Sequence, residues 1–442
     1  MTQFSSLSAR EALEAIGRRE ITCTALVQSC LERIRAVEPR VEAWAFLDPE
    51  RALAQARDRD QMLADHTSLG PLHGLPVGIK DIFDTADMPT ENGTVLHAGR
   101  RPTEDATVVT LLRAAGAVIL GKTVTTELAV YGPGKTRNPH NPDHTPGGSS
   151  SGSAAAVAAE MVPVALGSQT NGSVIRPAAY CGVVGYKPTF GLIPRTGALR
   201  QSGPLDQVGV FTRTVEDAAL LAHVLMVFDE RDPDMRSQAH PRFLEAAGEA
   251  PPSRPHLAFV KTPFWEQADS GARDILADFA IRRGEAEEVE LPPSFADTAT
   301  IHRTIMEADF AHSFAAEYAR GKAMLTPTLR TMIERGQRTL AMDYRRAVEQ
   351  VPGLVRELEG IFARYDAILT PATTGEAPAG LASTGNPIFC TIWTLCGVPA
   401  IALPLLRGPQ GLPLGVQLVG RRHDDARLLR TARWLSAQGA LR

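Results

Sequence analysis

The sequence predicts an α/β fold, and three observations lead to that prediction. Hydrophobic residues recur every three to five positions between residues 7 and 65, which is typical of amphipathic helices. A helix-like segment at 107–115 is followed by an apolar, strand-like run at 118–121, the alternation expected of a layered α/β core. Strand-like runs return near the end of the chain, at 367–371, 398–404 and 415–420.

The first region, residues 7–65, is predicted to be helical. Residues 51–64 are rich in strong helix formers. The apolar positions before them have the spacing of one buried helix face; they are Leu13, Ile16, Ile21, Leu26, Cys30, Ile34 and Val37.

The next region differs in composition and is predicted to hold the strands of the core. Residues 72–83 (LHGLPVGIKDIF) are apolar and punctuated by Gly and Pro, which suits a strand that ends at the charged Lys80. Residues 132–153 are dominated by Gly, Pro, Asn, Ser and Thr and predict an ordered loop. An alanine-rich helix follows from Ala154, with Ser151 or Ser153 as its N-cap.

The second half of the chain predicts more helices and a return to strands. Helices are expected after Asp217, at 300–320 and at 340–364, and a closing helix from Ala426. Residues from about 228 to 300 carry scattered prolines and acidic side chains and look variable.

Composition excludes several classes of function. The 442 residues carry a formal net charge of −4 with interspersed signs, which argues against nucleic acid and against an anionic membrane as partners. The five cysteines form neither a C-x-x-C pair nor a zinc spacing, so no metal site is expected. The first residues lack the pattern of a signal peptide, and no apolar run approaches the ~18 residues of a membrane helix. The expectation is a cytoplasmic protein.

Three features of the sequence point to chemistry, although each is weak alone. Residues 145–153 (TPGGSSSGS) form a Gly/Ser-rich loop before a helix, and residues 167–177 read GSQTNGSVIRP. The third feature is the lone Lys80 that closes a strand. A Gly/Ser-rich loop is more often a turn or an anion-binding nest, and a single lysine is usually a surface charge.

Together the three features resemble the amidase signature family. That family has a G-G-S-S-[GS]-G stretch and a G-[ST]-x-T-G-G-S segment whose last serine lies 24 residues after the first loop serine; here 173 − 149 = 24. Its Lys-Asp strand matches Lys80-Asp81. Further matching blocks extend over nearly the whole chain, at 205–209 (LDQVG), 366–371 (DAILTP) and 411–420 (GLPLGVQLVG).

The resemblance implies an architecture for the whole chain. It implies a single domain, residues 1–442, with a mixed β-sheet core flanked by helices on both faces. Within it we expect N-terminal helices at 1–65, the catalytic core at 70–225, a variable region and possible substrate cap at 228–345, and completion of the sheet at 346–442.

The resemblance also implies a serine hydrolase without metal or organic cofactor. Ser173 would be the nucleophile, Lys80 the base and Ser149 the proton relay, with a cis peptide before Ser149. The backbone N–H groups of Thr170, Asn171, Gly172 and Ser173 would form the oxyanion hole. The chemistry is consistent, because a serine needs a base, no histidine lies near Ser173 in sequence, and a buried lysine can be neutral.

The chain departs from the family pattern at three positions. Asn171 replaces the first glycine of the G-G-S turn; asparagine tolerates left-handed φ, so we expect the backbone to be kept while a side chain enters the pocket. Gln169 stands where many members have Asp. Arg176 lies three residues after the nucleophile rather than two, as in some members that act on malonamate, so it either clamps a substrate carboxylate or fixes the loop by binding carbonyls.

Several supporting residues are assigned with less specific signals. Tyr131 and Gly148 join Arg176 and Gln169 as candidate substrate-binding residues, with a core or loop role the commoner outcome for a tyrosine. Asp81 and Asp206 are candidates for orienting the lysine or the loop. Ser150 satisfies G-x-S-x-G, but the preceding residues form a loop rather than a strand, so a hydrolase elbow is rejected.

The predicted function is therefore an amidohydrolase that uses water to cleave a small amide, an aryl amide or a carbamate, as a urethanase would. A monomer or a homodimer is expected. One alternative is the glutaminase subunit of a tRNA-dependent amidotransferase, which would pass ammonia to a partner. A second alternative is a catalytically silent binding protein on the same scaffold.

Overall fold

The computed structural model describes residues 4–65, 69–238, 242–282 and 285–438. In this part of the chain one sheet of eleven strands runs through the molecule, with α-helices packed against it. The predicted α/β fold with a mixed sheet is confirmed. None of the described helices is both long and apolar enough to cross a membrane.

The bounds of the elements are as follows. The helices are α1 (Ala9–Gly17), α2 (Cys23–Val41), α3 (Pro49–Ala64), α4 (Thr107–Ala114), α5 (Ser151–Ala158), α6 (Ile175–Cys181), α7 (Val215–Leu225), α8 (Phe243–Gly248), α9 (Ser270–Arg282), α10 (Thr298–Ser313), α11 (Ala315–Gly321), α12 (Pro327–Gly336), α13 (Ala341–Phe362), α14 (Ile388–Leu395) and α15 (Asp425–Ala437). The strands are β1 (Trp44–Leu47), β2 (Pro76–Lys80), β3 (Val118–Thr123), β4 (Val164–Gln169), β5 (Val184–Lys187), β6 (Gln207–Thr212), β7 (Leu257–Phe259), β8 (Glu287–Glu288), β9 (Ala367–Pro371), β10 (Ala400–Arg407) and β11 (Pro413–Val419).

The sheet is mixed in strand direction. Its order is β1-β3-β2-β4-β6-β5-β10-β11-β9-β7-β8. The pairs β3–β2, β2–β4, β9–β7 and β7–β8 are parallel, and the other pairs are antiparallel. The central strands β2 and β3 are buried along their whole length, which explains why they read as continuous apolar runs.

The N-terminal region differs from its all-helical prediction by one strand. Ser8 and Glu11 form a capping box at α1, and Asp48 caps α3. Between α2 and α3 the chain adds the short strand β1 to the edge of the sheet. Four residues between two helices carry too little alternation to be distinguished from a helix end.

The alanine-rich helix begins earlier than predicted. Its first residue is Ser151, and Ser150 occupies the N-cap position without a side-chain capping bond. The expected N-cap at Ser151 or Ser153 is therefore wrong. Both serines lie inside the helix, where Ser151 Oγ donates to the Gly147 carbonyl and Ser153 Oγ to that of Leu166.

The segment from 228 to 345 contains more regular structure than its sequence indicated. It holds α8 to α12 and the strands β7 and β8, which extend the far edge of the same sheet. The helix α10 packs against α12, α13 and α14. Its predicted role as a substrate cap stays a prediction.

The parallel strands position the loops that carry the candidate site. Lys80 is the last residue of β2, and the neighbouring strand β4 ends at Gln169. Because β2 and β4 run in the same direction, their carboxyl ends meet at one edge of the sheet. The turn at 170–173 and the loop before α5 therefore converge beside Lys80.

Candidate active site

Lys80 lies in the protein interior with its amine held by two hydroxyl groups. The residue is 0% exposed, and Nζ lies 2.7 Å from Ser149 Oγ and 2.8 Å from Ser168 Oγ. Burial lowers the pKa of the Lys80 amine well below its usual 10.5, and the charge of Asp206 opposes this shift only in part. A neutral amine at this position can accept a proton from Ser149.

Ser149 is fixed by the loop around it. The Gly148–Ser149 peptide is cis, as the resemblance implied. The carbonyl of Gly148 accepts a hydrogen bond from Arg176 Nη2 at 2.7 Å. Ser150 supports the neighbouring strand, because its Oγ lies 3.2 Å from the carbonyl and 3.3 Å from the N–H of Ser168.

Ser173 lies between the end of β4 and the start of α6 and is 8% exposed. Among the described residues, no hydrogen bond joins its hydroxyl to Ser149 or to Lys80. The structure thus brings Lys80 and Ser149 into direct contact and places Ser173 on the adjoining turn. The last step of the predicted relay stays a prediction.

The carbonyl groups of the 170–172 turn are all held by donors of the protein. The Thr170 carbonyl lies 2.9 Å from His302 Nε2, the Asn171 carbonyl accepts from Thr394 Oγ1 at 2.5 Å, and the Gly172 carbonyl accepts from the Arg176 N–H at 2.9 Å. In a trans peptide the following N–H points the opposite way. Within the described chain, the N–H groups of Asn171, Gly172 and Ser173 donate to no acceptor.

Gln169 connects the end of β4 to the start of α6 and to Thr394, and thereby holds this turn in place. Its Oε1 accepts from the N–H groups of Val174 and Ile175 at 2.8 and 3.0 Å, and its Nε2 donates to Thr394 Oγ1 at 2.9 Å. The side chain is fully buried. Because both ends of the amide are engaged, these contacts favour loop positioning over the predicted contact with substrate.

Asn171 occupies the turn without a left-handed φ. It is not among the described residues with positive φ, so the tolerance of asparagine for that region is not needed here. Its side chain bridges two elements: Nδ2 donates to Tyr131 Oη at 3.0 Å and Oδ1 accepts from Thr391 Oγ1 at 2.8 Å. The side chain enters the cavity, as expected. Gly172 is needed for space, since a Cβ there would lie 2.9 Å from Pro387 Cβ.

Arg176 is a charged side chain buried beside the turn. It is 1% exposed; its Nη2 donates to Gly148 O and to Thr384 Oγ1, at 2.7 and 3.1 Å. Its Nε and Nη1 are buried without a described partner, and its guanidinium lies 5.9 Å from the centre of the Tyr131 ring. The carbonyl-binding alternative is thus present, and two donors are left over.

The two candidate aspartates have different roles. Asp206 accepts from the N–H groups of Gln201 and Ser202 and from Thr170 Oγ1 at 2.6 Å, so it orients the turn, and burial raises its pKa to about 6. Asp81 instead pairs with a different buried lysine, Lys122, at 3.2 Å.

An open cavity of about 600 Å³ lies in front of the turn. Tyr131 and Asn171 line it together with residues of α10, α12 and α14, among them His302, Met332 and Thr391. Tyr131 thus lines a cavity, and its predicted contact with substrate stays a prediction. No group of three or more metal-ligating side chains occurs among the described residues.

The sequence did not reveal several residues that hold the site. Ser168 lies within the GSQTNGS motif, on the strand that pairs with the one ending at Lys80. His302, Thr391 and Thr394 are more than 100 residues from the turn, in segments without recognisable spacing. Only the folded chain brings them to the loop.

Comparison with known proteins gives matches over almost the whole chain. The family model described as Amidase matches residues 25–429. One subunit of the glutamyl-tRNA(Gln) amidotransferase of Chloroflexus aurantiacus is 36% identical over 97% of this chain and 96% of its own. The putative amidase AmiD of Mycobacterium tuberculosis is 34% identical, covering 97% of this chain and 93% of its own.

Solved structures agree with these matches. The native peptide amidase of Stenotrophomonas maltophilia superimposes with a TM-score of 0.86 at 28% identity, covering 99% of this chain and 98% of its own. A structure from a vestigial protein complex that reveals the origins of an s-triazine catabolic enzyme gives a TM-score of 0.92 at 27% identity, covering 99% of both chains.

Proposed function

The chain belongs to the amidase family, and on this premise we propose that it hydrolyses the C–N bond of a small amide through an acyl-enzyme on Ser173. The family resemblance of the sequence is thereby confirmed, and the chain is an enzyme that acts on amide-type C–N bonds. In the proposed reaction Ser173 is the nucleophile, Lys80 the base and Ser149 the proton relay.

The observation that carries the mechanism is the burial of Lys80 between two hydroxyl groups. A charged ammonium at this position would be stabilised by no carboxylate in direct contact among the described residues. Burial therefore favours the neutral amine, whose lone pair is available to the Ser149 proton 2.7 Å away. Ser168, the second neighbour, accepts an amine N–H and orients the lone pair.

Acylation follows from this arrangement when substrate brings the Ser173 hydroxyl toward Ser149. Lys80 takes the Ser149 proton, Ser149 takes the Ser173 proton, and Ser173 Oγ forms a bond to the amide carbon. The carbonyl π electrons move to oxygen. When they return, the C–N bond breaks, and the proton on Lys80 passes through Ser149 to the leaving nitrogen.

The oxyanion is stabilised by the turn. The N–H groups of Asn171, Gly172 and Ser173 donate to no acceptor within the described chain. Each points away from the hydrogen-bonded carbonyl of the residue before it, so no reorganisation is needed when the negative charge develops. Water then attacks the acyl carbon, with the same base taking its proton. The resulting tetrahedral species collapses with cleavage of its bond to Ser173 Oγ, and the base returns the proton to that oxygen, which releases the acid and restores Ser173.

Arg176 favours a substrate with a carboxylate. An unpaired guanidinium donor in the interior costs free energy, and Nε and Nη1 are two such donors. These two donors lie on different edges of the guanidinium, so a substrate carboxylate would accept a charge-assisted hydrogen bond from one of them. Tyr131 contributes its ring to the same wall, and Gly148 contributes a carbonyl that keeps the guanidinium in place.

Matched substrates test this assignment. Malonamate and propionamide share a primary amide and differ in the carboxylate. We expect wild-type kcat/KM to favour malonamate, and Arg176→Lys to remove that preference by raising KM for malonamate, since the lysine ammonium does not reproduce the fixed donor directions of the guanidinium. Equal kcat/KM for both substrates in the wild type would contradict the carboxylate site.

A panel defines the remaining specificity. Purified protein is assayed with small amides, aryl anilides and carbamates such as ethyl carbamate, with Ser173→Ala as the blank. Turnover of at least one class by the wild type and none by the blank is the expected result. Hydrolysis of carbamate in preference to every amide would favour a urethanase.

The second candidate function is the glutaminase subunit of a tRNA-dependent amidotransferase. It is favoured by the 36% identity to the Chloroflexus protein, slightly above the 34% to the putative amidase. Activity of the isolated chain on simple amides favours the hydrolase. Activity confined to glutamine and dependent on a larger copurifying protein favours the amidotransferase.

A further inference from the structure

His302 lies on α10, outside every motif that the sequence analysis singled out. It is 1% exposed, and its Nε2 lies 2.9 Å from the carbonyl oxygen of Thr170. Its ring also forms part of the cavity wall in front of the turn. The residue thus contacts both this cavity, which Asn171 also lines, and the backbone of the turn that precedes Ser173.

The tautomer of His302 follows from its partner. A carbonyl oxygen can only accept a hydrogen bond, so Nε2 must carry the hydrogen. Burial lowers the pKa of His302 to about 4, so the ring is neutral at neutral pH. The imidazole is therefore a fixed neutral donor to Thr170.

The hydrogen bond from His302 to the Thr170 carbonyl fixes the whole peptide group, including the Asn171 N–H. The Thr170 carbonyl and the Asn171 N–H belong to the same trans peptide and point in opposite directions. Whatever holds the carbonyl therefore sets the direction of the N–H. In the described structure His302 is the donor to this carbonyl. The Thr170 hydroxyl has other partners, Gln201 and Asp206.

We propose that His302 is a positioning residue that aims the Asn171 N–H at the oxyanion. The inference rests on the proposed function and extends it to a residue from the variable middle of the chain. The adjoining peptide is held by Thr394 and the next by the Arg176 N–H, so each of the three N–H groups has its own anchor. His302 is the anchor that the cavity wall supplies.

The test uses three substitutions that separate hydrogen bonding from packing. His302→Gln can place an amide N–H near the former Nε2 position. His302→Asn has the same amide group but is one methylene shorter and cannot reach Thr170. His302→Leu keeps apolar volume without a donor. Each variant is compared for thermal midpoint, for kcat and KM on the best amide of the panel, and for the rate of Ser173 labelling by phenylmethanesulfonyl fluoride.

The expected result is a loss confined to the chemical step. His302→Asn and His302→Leu should lower kcat and the labelling rate by about 10²-fold, the low end of the cost of losing an oxyanion donor, while KM changes by less than about threefold. His302→Gln should stay within about tenfold of the wild type in both rates. If the substitutions acted only through packing, kcat and the labelling rate would instead fall most in the variant with the lowest thermal midpoint.

Two outcomes would overturn the inference alone. One is a labelled, active wild type whose His302→Asn variant retains wild-type kcat. The other is a His302→Gln variant as impaired as His302→Asn at an equal thermal midpoint. A wild type that phenylmethanesulfonyl fluoride does not label at Ser173, and that hydrolyses no amide, would instead overturn the proposed function.

Discussion

Replacing Lys80 with methionine removes the amine from a fully buried position and keeps a flexible side chain of similar length. The change deletes the group 2.7 Å from Ser149 Oγ and 2.8 Å from Ser168 Oγ. A positioned general base contributes about 10²–10⁴-fold to rate. We expect Lys80→Met to lower the acylation rate at neutral pH by about 10³-fold, the middle of that range.

The same substitution should raise the stability of the fold although it lowers the acylation rate. Burial lowers the pKa of Lys80 well below 10.5 in the folded state, so between that lowered pKa and 10.5 the unfolded chain binds more protons at this residue than the folded chain does. Folding must then expel that proton, a cost that is present below the unfolded pKa of about 10.5 and fades as the pH approaches it. Lys80→Met should therefore raise the thermal midpoint at pH 7 and raise it less at pH 10.

Lys122 provides the matched control. It is also fully buried, but it pairs with Asp81 and donates to the carbonyls of Phe83 and Pro89. Lys122→Met leaves Asp81 without its cation and should cost about 3–5 kcal/mol of stability. It should leave the labelling rate of the folded fraction close to that of the wild type.

The assay is the second-order rate of Ser173 modification by phenylmethanesulfonyl fluoride, followed by intact mass, with thermal midpoints recorded in parallel. A Lys80→Met variant that labels within tenfold of the wild type would refute the neutral-lysine mechanism. So would a thermal midpoint that falls on substitution at pH 7, because it would mean that the buried lysine is charged and paired.

Three further predictions concern the same site. Gln169→Leu removes the acceptor for Val174 and Ile175 and should lower the free energy of unfolding by about 1–3 kcal/mol, measured by urea denaturation, with Gln169→Glu as the variant that retains the acceptor. Asn171→Gly removes the bridge between Tyr131 and Thr391 and should raise kcat/KM for bulky aryl anilides relative to propionamide; an unchanged ratio in the panel assay would contradict this. The wild-type kcat/KM should fall as the pH is lowered through the depressed pKa of Lys80, since its protonated form accepts no proton, and a kcat/KM that rises with falling pH would count against lysine as the base.

Local pattern was sufficient for the elements that hold the chemistry. The run ending at Lys80 is apolar because β2 is buried between two parallel strands, so its sequence reports its position directly. The spacing of 24 residues between Ser149 and Ser173 identified the two loops that converge beside it. The helix α13, predicted at 340–364, was also found close to those bounds, at Ala341–Phe362.

The remaining features depend on contacts between distant segments. β1 is four residues long and is defined by pairing with β3, which no local window contains. The side chain and carbonyl of Asn171 are held by Tyr131, Thr391 and Thr394, contacts that the local preference of asparagine does not reveal. His302 lies 132 positions from its partner and carries no local signal of its role.

The most direct test is to trap the covalent intermediate and map it. The wild type is quenched during turnover of its best amide, digested and analysed by mass spectrometry, beside Ser173→Ala and Ser149→Ala. We predict an acyl adduct on Ser173 in the wild type and none in Ser173→Ala. An adduct on Ser149 or Ser150, or undiminished turnover by Ser173→Ala, would contradict the account.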